Sequence, residues 1–212
     1  SIAQADVTLS LSKGKWKVDS IDGHLVDITD TPVDGDFVAH FKDFTDKVQN
    51  YVGRQIGTLK HDIHSRDAFF GPSAFNDLIH DLQLEITGAQ ISITAPLQFN
   101  TKLTQGPIYV SDMFNLCRFE NKLYVMRLTG KEIRKHLEMS YDQWVNTMRS
   151  PNDHLLLLSN STRGDQQRLG FKNYTFNFDS AAGIDYIVDV TKPDGEKVEI
   201  LRMSDGQPFD EN

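Results

Sequence analysis

The sequence predicts an α+β protein, and three observations carry that reading. Two stretches repeat apolar residues at helical spacing: Phe37, Phe41, Phe44, Val48 and Val52, then Phe75, Leu78, Ile79, Leu82 and Ile86. Short apolar runs bounded by Gly, Pro and Asp read as strands joined by hairpins. Helices and hairpins follow one another without the regular strand–helix alternation of a parallel α/β fold.

In chain order, residues 7–11 and 16–18 read as strands around the turn Ser12-Lys13-Gly14-Lys15, and residues 24–28 as a further extended piece after Asp22-Gly23. A free-standing β-meander of this size is marginal, so it needs something to pack on. The Pro- and Gly-bearing stretch at 30–35 is the natural boundary, placing one region at 1–35 and a second at 36–212. The first helical stripe, at 37–52, opens the second region. The next helix is punctuated at both ends, by Gly71-Pro72 in its first turn and Gly88 as its stop. A buried strand at 91–94 follows, and Ser111 is placed to cap a short helix through Asp112, Met113 and Phe114. Residues 122–128 alternate as a half-exposed strand. Thr129 and Glu132 then form a capping box for a helix whose buried stripe is Ile133, Leu137, Tyr141 and Trp144. After a loop-rich segment around the apolar run 155–158, strands are expected at 174–178, 184–190 and 198–203, the last two joined through Pro193-Asp194-Gly195.

Composition narrows the function classes. A net charge of −8 argues against a nucleic-acid polymer as partner, because that binding rests on Lys and Arg neutralising a phosphate backbone. A single nucleotide needs only a few local donors and is compatible with it. No stretch approaches the roughly 18 consecutive apolar residues of a membrane span, and Ser1-Ile2-Ala3-Gln4-Ala5 has no signal-peptide character. Cys117 is the one cysteine, which excludes an internal disulfide; its apolar neighbours Met113, Phe114 and Leu116 suggest a buried small hydrophobe. Both ends read as cut rather than natural. His61 and His64 are the one close histidine pair and lack the further ligands that a metal site wants. No nucleophile elbow, Walker loop or dinucleotide fingerprint occurs, so no catalysis is expected from this polypeptide alone.

The densest run of signals is Gly106-Pro107-Ile108, Asp112-Met113-Phe114, Phe119-Glu120-Asn121 and Leu128-Thr129-Gly130. In this order they resemble the C-terminal substrate-binding domain of the 5′-nucleotidase and 2′,3′-cyclic-nucleotide phosphodiesterase family, two-domain metallophosphoesterases. The resemblance implies a mixed-sheet α+β domain over 36–212, lacking its C-terminal end, and makes residues 1–35 the trailing strands of the metallophosphatase domain. It implies a hydrolase of nucleotide phosphoesters, serving nucleotide catabolism in the periplasm or outside the cell. Two divalent metal ions are expected in the phosphatase domain and none in this fragment, since the family's Asp-x-His, Gly-Asn-His-Asp/Glu and Gly-His-x-His motifs are absent.

The same resemblance implies the site residues. The family's Pro-Phe-x-Asn motif stacks its Phe on the base; here Phe119 and Asn121 match, with Arg118 in place of the proline. Pattern alone reads Phe119 as a core residue at a strand start, and the resemblance reverses that. Gly183 matches a family glycine where a ligand approaches the backbone, a strand bulge being equally open. Arg66 falls near a substrate-binding arginine. Asn100 stands where the family's Asn-Ala-Gly-Gly-Ile-Arg run ends in arginine, and an amide cannot supply a guanidinium fork. Two rival readings remain: a non-catalytic binding module working with a separately encoded phosphoesterase chain, and a structural domain that has lost its pocket.

Overall fold

The computed structural model describes residues 1–117, 119–159 and 170–212, and the chain divides into two units, Ser1–Asn50 and Tyr51–Asn212. The first unit opens with β1 (Ile2–Ser12) and β2 (Lys15–Val26), an antiparallel pair running from Ile2↔Val26 to Ser12↔Lys15. Lys13 and Gly14 turn the chain with φ of 51° and 72°, the left-handed pair that a two-residue hairpin requires. The sequence suggested three short pieces with a turn at Asp22-Gly23, but Gly23 pairs with Ala5 in mid-strand. Once the first turn sets the register, continuing the ladder satisfies backbone groups that a second turn would leave without partners. The predicted helix follows as α1 (Gly35–Val52). The Asp34 carboxylate accepts the Phe37 N–H at 3.0 Å.

The second unit is assembled from antiparallel pairs between segments distant in sequence. β3 (Gln55–Leu59) pairs with β7 (Gly106–Tyr109), and β4 (Ile63–His64) with β6 (Lys102–Leu103). β5 (Ser92–Thr94) pairs with β8 (Ser180–Ala182), and β9 (Ile184–Val188) with β10 (Val198–Met203). Three helices pack on them: α2 (Ala74–Thr87), α3 (Val110–Leu116) and α4 (Gly130–Trp144).

The caps explain the helix limits. Ser73 caps α2 by accepting the Asn76 N–H, and Gly88 ends it in the left-handed conformation at φ 64°. Pro72 therefore precedes the cap instead of occupying the first turn. Thr129 and Glu132 form the expected capping box of α4, the Thr129 N–H donating to the Glu132 carboxylate at 2.8 Å. At α3 the expected cap Ser111 is already helical; the helix opens one residue earlier, and Asp112 accepts the Tyr109 N–H at 2.8 Å.

α4 forms the centre of the main core. Ile133, Leu137, Tyr141 and Trp144, the predicted stripe, meet Phe69, Phe171, Phe178, Ile184 and Val198. Trp144 lies parallel to Phe178 with centroids 5.6 Å apart, and Tyr141 parallel to Trp144 at 5.0 Å. Buried Glu138 accepts the backbone N–H groups of Lys197 and Val198 at 2.9 and 2.8 Å, tying α4 to the start of β10. A smaller core joins Phe75, Leu103 and Leu116, fastening α3 to β6 and α2.

Three further expectations differ from the structure. Residues 122–128 are not a strand, since no ladder partner lies beside them among the described residues, and Tyr124, Val125 and Met126 are exposed. Residues 174–178 contain a 3₁₀ turn at Thr175–Asn177 rather than a strand. Cys117 is exposed: α3 buries Leu116, and the next residue, which ends the helix, turns away from that face.

Candidate functional site

The β4–β6 pair brings together two segments that the sequence could only name separately. Register sets His64 opposite Lys102. Just beyond the ladder, Ser65 and Thr101 exchange two hydrogen bonds, Ser65 N–H to Thr101 O and Thr101 N–H to Ser65 Oγ, both 2.9 Å. Arg66 and Asn100 are thereby forced to face each other. Arg66 Nη2 donates to Asn100 Oδ1 at 2.6 Å, and the guanidinium carbon stands 4.9 Å from the centroid of the Phe99 ring. With Asp67 and Thr101, these residues line an open cleft of about 280 Å³.

Chemically, the Arg66 side of the cleft can receive an anion. A guanidinium carries five N–H donors in a rigid fork, and the single bond to Asn100 leaves others for an oxyanion. The ring beneath it restrains the plane through cation–π attraction. Lys102 adds a point charge, steadied by an ion pair to Asp62 at 2.7 Å. The Lys102 hydrogen bond, followed by the Gln105 N–H, holds the Asp62 carboxyl below its ordinary pKa. At the position where the family pattern has arginine, the Asn100 carbonyl accepts from Arg66.

Phe119 and Asn121 form a second group beyond the end of α3. Phe119 is 61% exposed, so it is not among the core side chains. Cys117 Sγ donates to Phe119 O at 3.3 Å and receives the Asn121 Nδ2 contact at 3.7 Å, which folds this segment around the thiol. The Leu103–Leu116 contact links α3, which precedes this group, to β6 beside the cleft. Arg118, where the family has proline, lies outside the described residues. Gly183 lines neither this cleft nor the larger cavity between α2, α4 and β9. It sits at φ 93°, where a Cβ would come within 2.1 Å of Gln90 O, so its need for glycine arises from packing against that backbone. Phe99, Lys102 and His64 were missed by sequence reasoning. The signal available was the two-residue spacing of Asn100 and Lys102 in the segment that leads into β6.

No group of three or more His, Cys, Asp or Glu among the described residues is placed to hold a metal ion. No helix among the described residues is long and apolar enough to cross a membrane.

Comparison with known proteins gives the arrangement a family. The profile described as 5′-nucleotidase, C-terminal domain, matches residues 55–212. The trifunctional nucleotide phosphoesterase protein YfkN of Bacillus subtilis (strain 168) is 24% identical over 214 residues, covering 89% of this chain and 14% of that protein. Among solved structures, a Staphylococcus aureus protein described as a 5′-nucleotidase in complex with α-ketoglutarate superposes with a TM-score of 0.66 at 22% identity. It covers 97% of this chain and 38% of its own. The 5′-nucleotidase precursor from Thermus thermophilus gives a TM-score of 0.58 at 24% identity, covering 99% of this chain and 38% of that one. The chain therefore spans well under half of each of these relatives. With its antiparallel pairs, capped α4 and a family match over 55–212, the chain belongs to the 5′-nucleotidase C-terminal domain family.

Proposed function

We propose that this chain is the substrate-binding part of a two-domain, 5′-nucleotidase-type metallophosphoesterase that hydrolyses nucleotide phosphoesters. The observation that carries the reading is the Arg66 guanidinium, held by Asn100 at 2.6 Å and laid over Phe99 in an open cleft. Arg66 and Lys102 receive the nucleotide's anionic groups, with Asn100 holding Arg66 in place. Phe119 offers an exposed π-face to the base, and the Asn121 amide meets its polar edge. Residues 1–35 are the trailing strands of the phosphatase domain and 36–212 the substrate domain. The phosphatase domain of the longer protein carries two divalent metal ions, which polarise the phosphoester and activate water. Resemblance supports action in the periplasm or outside the cell.

The experiment is steady-state kinetics of the full-length protein. Arg66→Gln is expected to raise KM for a nucleotide about tenfold or more. Phe119→Ala is expected to raise it about tenfold, as follows from losing a stacking contact of roughly 1–3 kcal/mol. The same Phe119 variant should leave hydrolysis of a base-free phosphoester nearly unchanged. Equal losses on both substrates would overturn the stacking role.

A further inference from the structure

We propose that His64 sets the charge of the Arg66 cleft, so that the cleft holds its anion more tightly once His64 is protonated. The inference rests on the anion-receiving role given to this cleft above and adds a residue to which that reading assigns nothing. Register places His64 opposite Lys102, and both line the cleft. Ile63, its neighbour in β4, packs against the core of Phe75, Leu103 and Leu116. Alternation along the strand therefore turns His64 to the other face, away from the titratable groups of α2. The charged groups on its side are Arg66 and Asp67 from the 3₁₀ turn Ser65–Phe69, Lys102 from β6, and Asp62 just before β4.

Charge balance makes His64 decisive. Lys102 is bound to one Asp62 oxygen at 2.7 Å, and the other accepts the Gln105 N–H at 2.7 Å, which anchors the carboxylate there. Asp67 lines the cleft with Arg66. Two cations thus meet two carboxylates, and with a neutral imidazole the group carries no net charge. The Arg66 fork can still donate hydrogen bonds to an anion, but the field around it does not draw one in. A proton on His64 leaves the group with one net positive charge. Imidazole is the side chain whose ordinary titration range spans roughly pH 5 to 8. Near neutrality this charge therefore changes while those of Arg, Lys and the carboxylates persist. His64, Arg66, Asp67, Asp62 and Lys102 are all exposed. Water screens the added charge, so the gain is several-fold rather than orders of magnitude.

The test is titration of the 212-residue chain with sodium sulfate at constant ionic strength, followed by backbone amide NMR shifts. Sulfate keeps its charge across the range, so any pH dependence belongs to the protein. Its affinity at residues 64–67 and 100–102 is expected to rise about three- to tenfold from about pH 8 to about pH 5.5. His64→Gln should bring that ratio close to one. His61→Gln, which changes a histidine outside the cleft lining, should keep the ratio of the parent. Asp62→Asn, whose amide oxygen can still accept from Gln105, should tighten sulfate several-fold at about pH 8 by freeing Lys102. Arg66→Gln should weaken sulfate at every pH. A parent affinity that does not change with pH overturns the proposal and leaves the anion role of Arg66 standing. So does a His64→Gln variant that keeps the parent ratio, or a His61→Gln variant that loses it. Unchanged affinity in Asp62→Asn overturns the charge balance and the proposal with it. Absent cleft shifts at every pH, or sulfate held equally by Arg66→Gln, overturn the anion role itself together with this proposal. Should His64→Gln fail to fold, His64→Asn makes the same comparison.

Discussion

Arg66 and His80 show how neighbours decide what a side chain does. Arg66 is a polar loop residue by sequence; Asn100, thirty-four positions on, makes it an oriented cation. His80 reads as one polar residue on an amphipathic helix, yet it is buried, and desolvation lowers its pKa from 6.5 to about 4. On acidification the unfolded chain therefore takes up the proton first. This contribution to stability is complete above about pH 6.5 and is lost as pH falls toward 4. A loss on the order of 2–3 kcal/mol follows from a shift of this size. Urea midpoints measured between pH 7 and 4.5 should decline, and that part of the decline should vanish in His80→Gln. His136 behaves oppositely. Its hydrogen bond to Asp179 at 2.8 Å is the leading cause of its raised pKa. Its contribution is complete below pH 6.5 and lost as pH rises through the folded value. Midpoints of the parent should drop relative to His136→Gln between pH 6 and 8. A parallel course of the two proteins would show that the pair contributes nothing.

Elements form where local signals and long-range partners agree. The capping box at Thr129 and Glu132 needs only its own four residues, so α4 was legible from the sequence to its first turn. The stretch 122–128 has equally good alternation, but a strand requires a second strand, and the described residues supply none. Its amides are expected to exchange with deuterium in seconds to minutes while those of α4 stay protected; protection equal to α4 would contradict the absence of a ladder. Gly183 joins β8 to β9. Gly183→Ala combines φ 93° with a 2.1 Å approach to Gln90 O, whereas Gly206 has φ 89° and open space around the added Cβ. The first substitution should cost about 3 kcal/mol or more and Gly206→Ala about 1 kcal/mol, the strain alone. Equal urea midpoints for the two variants would show that the Gln90 contact relaxes freely.

At the scale of the molecule, a chain of net charge −8 carries a cleft that gathers Arg66, Lys102 and His64. Binding of AMP to the 212-residue chain should weaken several-fold as salt rises from about 0.05 to 0.5 M, while binding of uncharged adenosine should change little. Identical salt dependence for both would remove the phosphate from the cleft. In the first unit, β1 and β2 pair only with each other among the described residues, so amides of residues 1–29 should exchange faster than those of α4. Uniformly slow exchange in a demonstrated monomer would show that this hairpin has a complete core. The sequence by itself determined the α+β class, the helix at 37–52, the existence of the helices stopped by Gly88 and opened by Thr129, the hairpin turns at Lys13-Gly14 and Gly195, and the family motifs around Phe119. Each of these rests on spacing and caps spanning a few residues, where chemistry and position coincide. Only the tertiary structure decided that Asn100 orients Arg66, that Asn76 is left with an unpaired carbonyl among the described residues, and that residues 122–128 remain without a ladder there. Those outcomes depend on pairings between segments tens of residues apart, β4 with β6 and β5 with β8. Periodicity records which face of a segment is apolar, but not which distant backbone will satisfy its hydrogen bonds.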